Sequence, residues 1–294
     1  MKIAIFGQFY HNTSAESIST LCNFLEKKKI EVCIEEEFYS LLILNKVILK
    51  KYKNFKTYTK LDKSFDLLIS IGGDGTILRA ITYVKDSEIP IIGINTGRLG
   101  FLATIQDDEI ESALKSIFNN DYKISERTLL QIETNPANKD LKELNFALNE
   151  IAVSRKNTTS MITVETQLDD EYLTSYWADG LIISTPTGST GYSLSCGGPV
   201  ITPGANSIVL TPIAPHNLNA RPLVIPDKTK IKLKVSGRED NYLVSLDSRI
   251  ATLENNTTIT IKIADFKIKM IELQKESFLR TLRKKLLWGE DKRN

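Results

Sequence analysis

The sequence predicts two folded parts: an α/β domain built on a mostly parallel sheet, and an all-β, sandwich-like domain after it. Three observations carry this. Short apolar runs alternate with helically spaced segments over residues 1–124. Strand-like runs and turn signals replace helical periodicity over 125–270. Helical spacing then returns over 271–294, which predicts a closing helix that packs back on the first domain.

The elements follow in order. Lys2–Phe6 is a β-rich apolar run ending at Gly7. After a polar loop, Ser14 is placed to cap a helix with Glu16 in its first turn and Ile18, Leu21, Cys22 and Leu25 on one stripe. Ile30–Ile34 is the next strand. Asp66–Ile71 is nearly continuous in apolar residues, as a strand covered on both faces must be. It runs into Gly72-Gly73-Asp74-Gly75-Thr76, where a helix starts. Pro90–Ile94 is another buried strand, and Ile110, Ala113, Leu114 and Ile117 mark a helix over Asp107–Phe118. In the second part, Ile162, Val164 and Leu168 share one strand parity and Asp169-Asp170 reads as a hairpin turn. Val209–Ile213, Lys230–Val235, Tyr242–Leu246 and Thr258–Ile263 supply further strands. Phe278, Leu279, Leu282 and Leu286 form the stripe of the closing helix over Glu276–Leu287.

Composition excludes several classes. With 41% hydrophobic and 25% charged residues the 294-residue chain supports real cores and is not disordered. A formal charge of +2 is far from the basic balance that nucleic acid demands, so nucleic acid is set aside as a partner. Cys22, Cys33 and Cys196 have neither CxxC spacing nor histidines at ligand spacing, and read as reduced thiols of a cytoplasmic protein. The first residues reach Gly7 too soon for a signal peptide. The longest apolar stretch, near Leu41–Leu49, is broken by Asn45-Lys46 and too short to span a bilayer, so no membrane is expected.

Four segments carry chemistry. Gly72-Gly73-Asp74-Gly75-Thr76 ends a buried strand, where open α/β sheets bind ligands. Its glycines let backbone N–H groups approach phosphates, and the helix that follows adds a favourable dipole. An aspartate among phosphates would repel them, so Asp74 points to a hydroxyl or a phosphate-bound metal. Asn95-Thr96-Gly97-Arg98-Leu99-Gly100-Phe101-Leu102 follows the next strand; alone it reads as an ordinary strand-to-helix loop. Asn149-Glu150 combines a donor–acceptor amide with a carboxylate able to accept two ribose hydroxyls; alone it reads as a polar pair at a strand end. The run Asp179–Pro199 crowds glycines and small hydroxyl residues around Tyr192, a composition that can wrap a nucleotide.

Taken together, GGDGT at 72–76, NTGRLGFLA at 95–103, NE at 149–150, DGLIISTPTGSTGYSLSCGGP at 179–199 and TPIAPHNLNARPLVIP at 211–226 resemble the NAD kinase family along most of the chain. GGDG alone is shared with lipid kinases of the diacylglycerol or sphingosine type; the 179–199 run does not suit them, nor is the apolar or polybasic surface they need evident. The resemblance implies a Rossmann-like first domain, a β-rich second domain, ATP and NAD as substrates, a divalent metal (Mg²⁺, carried by ATP rather than by a protein cluster) and a homo-oligomer, dimer or tetramer. It implies that Asp74 is catalytic, with Gly75 and Arg79 beside it in NAD binding. Asn149, Glu150, Asp179 and the loop Thr190, Gly191, Tyr192, Ser193, Leu194 and Ser195 would hold NAD. Phe101, Trp177, Thr187 and Arg249 are further candidate contacts. Three positions depart from the family pattern. Gly191 stands where alanine is common, Trp177 where a basic residue is frequent, and Arg249 near a contact that is often uncharged. His216 reads as a neutral loop residue, and the basic run Arg280–Arg293 as a solvated helix face.

Overall fold

The structure, a computed structural model, describes residues 1–8, 13–47, 52, 55–157 and 160–288. The chain forms two compact units. One comprises Met1–Glu126 together with the chain from Ile268 onward, the other Arg127–Lys267.

The first unit contains β1 (Lys2–Gly7), α1 (Thr13–Lys27), β2 (Glu31–Glu35), α2 (Glu36–Leu44), β3 (Phe55–Tyr58), β4 (Leu67–Ile71), α3 (Asp74–Val84), β5 (Ile91–Ile94) and α4 (Ile110–Phe118). Its strands are parallel in the order β3-β2-β1-β4-β5. Every residue of β4 is buried, which explains its unbroken apolar run. Ile18, Leu21 and Leu25 of α1 and Ile110, Leu114 and Ile117 of α4 join the sheet residues in one core. Because β2 and β4 flank β1 on opposite sides, the strand order reverses there. The adjacent strands β4 and β5, paired through Ile71 and Ile94, carry the GGDGT and NTGRLGFLA loops at their carboxyl ends.

The second unit begins within β6 (Tyr122–Asn135). It contains β7 (Phe146–Ala147), β8 (Glu150–Arg155), β9 (Ile162–Leu168), β10 (Glu171–Ala178), β11 (Gly180–Ser184), α5 (Tyr192–Ser195), β12 (Ser207–Ile213), β13 (Leu223–Pro226), β14 (Ile231–Gly237), β15 (Asn241–Leu246) and β16 (Arg249–Glu254). It ends within β17 (Thr258–Leu273). One antiparallel sheet runs β13-β12-β11-β8-β15-β16; the other orders β10-β9-β14-β17. Ile151, Val153, Leu181 and Ile183 from the first share a core with Val164, Leu233 and Ile261 from the second, as in a sandwich. Asp169 and Asp170 have φ of 50° and 70°, the turn that matches strand twist in a two-residue hairpin.

The closing helix α6 (Phe278–Leu286) is capped by Ser277, whose hydroxyl accepts from the Arg280 N–H at 3.2 Å. It belongs to the first unit, with the Phe278 and Phe101 rings 6.2 Å apart. The structure corrects several sequence expectations. Ser14 is not a cap: it lies inside α1, buried, donating to the Thr96 hydroxyl at 3.2 Å. Leu279 is 61% exposed, because α6 turns Thr281 and Leu282 inward instead. The helix α2 and strand β3 were not anticipated. In α2 only Phe38 and Leu42 are buried while Leu41, Ile43 and Leu44 face solvent, so no clean apolar stripe marks it. Leu49, at the end of the apolar stretch, and residues 289–293 of the basic run lie outside the described residues. The three cysteines are free, Cys22 and Cys33 buried. Among the described residues, no helix is long and apolar enough to cross a membrane.

Ile69, fully buried in the middle of β4, should cost about 2–5 kcal/mol when replaced by alanine, because close-packed neighbours collapse only partly into the void. Urea unfolding of I69A checks this; a loss under about 1 kcal/mol would mean the first core is looser than its burial indicates.

Candidate active site

In the first unit the site is built around one carboxylate. Asp74 is the first residue of α3, with Gly73 as the capping residue. Its Oδ2 accepts the Phe101 N–H at 2.7 Å, and its Oδ1 accepts the N–H groups of Leu102 and Ala103, both at 3.0 Å. The loop after β5 is therefore wrapped round the side chain that begins the helix after β4. Gly100 explains how the two come so close, since a Cβ there would stand 1.8 Å from Oδ1 of Asp74. Asn95 holds the loop from within, its amide donating to the Arg98 carbonyl at 2.7 Å and its Oδ1 accepting from the Gly97 N–H at 2.8 Å. Gly72 has φ of 145° and no room for a side chain against Thr76, whereas Gly73 and Gly75 face open space. A backbone edge is thus left bare at a helix N-terminus, the arrangement that favours anionic ligands. Arg79 is exposed further along α3, and Phe101 is half-buried.

In the second unit a different carboxylate organises the site. Asp247, its side chain only 1% exposed and its φ 52°, occupies the hairpin between β15 and β16. It accepts the N–H groups of Leu148, Asn149 and Glu150 at 3.0, 2.8 and 3.3 Å, and its own N–H returns to the Glu150 carbonyl at 3.0 Å. Sequence analysis missed it: an acid in a two-residue hairpin reads as turn chemistry, and only the fold shows which backbone it faces. Arg249 has its partners within the same unit. Its guanidinium donates to the Leu144 carbonyl at 2.6 Å and to the Phe146 carbonyl, and lies over the Phe146 ring and 3.9 Å from Asp247. It is engaged in shaping the strand that leads to Asn149.

What this framework presents is polar and unsatisfied. Oδ1 of Asn149 and Oε2 of Glu150 are both buried without a hydrogen-bond partner, an arrangement that is costly unless a ligand completes it. Gly191 borders both: a Cβ there would sit 3.3 Å from Glu150 Oε2 and 3.4 Å from Asn149 Nδ2. The space a methyl would occupy beside the pair is left open by this glycine. Burial pushes the Glu150 carboxyl up to about 8; the neighbouring Asp247 adds to the rise and the Tyr192 N–H opposes it.

Several hydroxyls within the run Asp179–Pro199 already have partners in the protein. Thr185 donates to the Leu148 carbonyl at 2.6 Å, Ser189 to Pro186 at 2.7 Å, and Thr190 to Thr187 at 3.2 Å. The hydroxyl of buried Ser193 pairs with Thr211 at 2.8 Å. Their partners are backbone carbonyls and the Thr211 hydroxyl, because a loop folded against Asn149 must have its polar atoms paired. Thr187 is buried, Leu194 half-buried, and Tyr192 and Ser195 remain exposed. Asp179 pairs with the Arg155 guanidinium at 2.9 Å. Trp177, 46% exposed, has its ring 4.3 Å from the His216 ring at a tilt of 47°. Among the described residues, no group of three His, Cys, Asp or Glu side chains is placed to hold a metal.

Two family models match the chain, the ATP-NAD kinase N-terminal domain over residues 3–122 and the ATP-NAD kinase C-terminal domain over residues 148–273. The chain belongs to the NAD kinase family. The NAD kinase of Christiangramia forsetii is 65% identical and that of Flavobacterium psychrophilum 64% identical, each over 294 residues and the full length of both chains. The fold of this NAD kinase family member is also that of yeast NADH kinase, solved with NADH. The TM-score is 0.87 at 22% identity, covering 99% of this chain and 88% of that one.

Two predictions concern the two carboxylates. Gly100→Ala should displace Asp74 and lower kcat by about tenfold or more while changing KM less, since small misplacements at a reacting centre are amplified in rate. Steady-state kinetics decide it, and an unchanged kcat would show that Asp74 need not be held there. For Glu150, a folded-state value above the ordinary 4.5 means that its stabilising contribution is complete below that value and lost as pH rises through about 8. Urea midpoints should fall between about pH 5 and about pH 8.5, and Glu150→Gln should remove much of that fall. Asp247, also raised by burial, acts in the same direction and accounts for the remainder. Parallel curves for the two proteins would contradict the burial effect.

Proposed function

We propose that this chain is an ATP-dependent NAD kinase in which Asp74 acts on the 2′-hydroxyl of NAD's adenosine ribose as it receives the γ-phosphoryl of ATP, giving NADP and ADP. The observation that carries the assignment is the state of Asp74. Its two oxygens offer about four acceptor positions, and three are taken by backbone N–H groups, two on Oδ1 and one on Oδ2. Oδ2 therefore keeps one acceptor position for a hydroxyl, on a side chain whose rotamer is locked. Phosphoryl transfer passes through a loose transition state, so a fixed acceptor that orients the attacking oxygen and takes its proton late suits the chemistry.

The other assignments follow from what each unit exposes. The bare edge at Gly73 and Gly75 takes the phosphates of ATP, with the α3 N-terminus favouring their charge. Asn149 and Glu150 supply the unsatisfied amide oxygen and carboxylate oxygen for the adenosine of NAD, and Tyr192 the exposed aromatic face beside them. Gly75, Arg79, Asp179, Thr190, Gly191, Ser193, Leu194 and Ser195 complete the NAD-binding set. Of these, Ser193 acts through the loop's shape, since its hydroxyl is already paired.

The family implies a divalent metal, and Mg²⁺ fits these residues. Magnesium keeps most of its waters and needs only phosphates and one or two carboxylates, and the open edge at Gly73–Gly75 has one carboxylate, Asp74, at its rim. Bound there with ATP, the ion neutralises phosphate charge; the chain's own part is to hold the hydroxyl and its proton at Oδ2. A cytoplasmic homo-oligomer, dimer or tetramer, completes the reading.

Asp74→Asn should lower turnover by at least about 10²-fold while NAD binding stays roughly intact. Its amide can still accept from only one side of the loop, so part of the loss reflects a loosened loop. NADP formation from NAD, ATP and Mg²⁺, set beside calorimetric NAD affinity, checks both halves; normal turnover by the variant ends the assignment. A metal-orienting role would show instead as an altered dependence on Mg²⁺ or Mn²⁺. Formation of phosphorylated lipid from a short-chain diacylglycerol, with no NADP, would favour the lipid-kinase reading.

A further inference from the structure

The three N–H groups that hold Asp74 belong to Phe101, Leu102 and Ala103, and the residues at and beside the two ends of this trio are attached to one short segment. At one end the Phe101 ring packs near the Phe278 ring, with centroids 6.2 Å apart. Just past the other, the Thr104 hydroxyl donates to Oε2 of Glu276 at 2.7 Å. Glu276 and Phe278 lie some 170 residues further along the chain, at the junction of β17 and α6. All of these residues belong to the first unit. The junction is itself well anchored. The Glu276 N–H returns to the Leu273 carbonyl at 2.9 Å, the Arg280 guanidinium to the Lys275 carbonyl at 2.9 Å, and Ser277 caps the helix. β17 is tied to the sheet where Met270 pairs with Ile91 of β5.

The base of the loop is held independently. The Asn95 N–H reaches the Ile105 carbonyl at 2.7 Å, and the Ile105 N–H reaches Gly93 at 3.3 Å. Losing the Glu276 contact would therefore not unfold the loop; it would free the stretch that carries the donors. The Glu276 carboxyl is half-buried and faces Glu109 and Glu272 as well as Thr104 and Arg280, and burial raises it above the usual carboxylate range. A carboxylate kept in such surroundings for the sake of one threonine hydroxyl is poorly explained as a surface contact, since exposed polar pairs contribute little.

We propose that Glu276 is a positioning residue for Asp74: its carboxylate anchors Thr104, and through Thr104 the backbone donors that aim the reactive carboxylate. This rests on the assignment of Asp74 as the catalytic acid–base group. The consequence is that the closing segment of the chain, acting through Thr104, sets the turnover rate.

The experiment compares Thr104→Val, Glu276→Ala and Glu276→Gln, each in the native and in the Asp74→Asn background, in the full chain with NAD, ATP and Mg²⁺. Both T104V and E276A should lose about tenfold in kcat with KM for NAD changed less than about threefold, and the pair combined should be no worse than either alone. E276Q retains an oxygen for the threonine and should restore most of the rate. On the D74N background, E276A should cause no further loss, because the group it positions is already gone. Thermal unfolding is followed for each protein, and T104V, which exchanges a hydroxyl for a methyl group, decides the matter if E276A does not fold. A wild-type kcat in T104V or E276A, or an equal loss on the D74N background, overturns the proposal while leaving the Asp74 assignment in place. Normal turnover by D74N itself overturns both.

Discussion

The first unit turns on one interaction, the carboxylate of Asp74 received by three consecutive backbone N–H groups of a neighbouring loop. Hydrogen bonds to an ionised acceptor are short and strong, and three of them converging on one side chain leave it a single orientation. They join the loops at the carboxyl ends of two adjacent parallel strands, β4 and β5, so the sheet's register sets the position of this carboxylate. They also give the glycines their separate roles. Gly100 makes room for the carboxylate, Gly72 adopts a backbone conformation closed to side chains, and Gly73 and Gly75 leave the helix end uncovered.

The second unit repeats the device with a different purpose. Asp247 also gathers three consecutive N–H groups, but its side chain is buried and closed off, and what it presents is the pair Asn149–Glu150. In the first unit the received carboxylate stands beside a bare helix end, whereas in the second it is the scaffold of that pair. Asp74 stands at the rim of a bare helix end, while the Asp247 side chain, 1% exposed, lies in a hairpin 3.9 Å from the Arg249 guanidinium. Burial, with the neighbouring scaffold carboxylate adding to it, is also what drives Glu150 to favour its protonated form.

Much of this was legible in order along the chain. The full burial of β4 is written in Leu67-Leu68-Ile69-Ser70-Ile71, and the hairpin at Asp169-Asp170 in its flanking alternation. Asp74 stood out because an acid among glycines at a strand end is hard to explain otherwise. The helix α2 was illegible because it buries only two of its nine residues, and Leu279 misled because an apolar residue at helical spacing need not face inward. The hydroxyl-rich loop was recognised as important for its composition, yet most of its hydroxyls serve the loop's own folding.

By itself, the sequence determined the two kinds of secondary structure, their order, and the residues able to do chemistry, because periodicity and local backbone chemistry are properties of neighbours along the chain. Tertiary structure alone decided which groups those residues meet. Asp74 finds its donors 27 to 29 residues away, Asn149 is held by an acid 98 residues away, and Thr104 meets Glu276 across 172 residues. Contacts at such separations depend on strand order and register, and no short-range pattern encodes them.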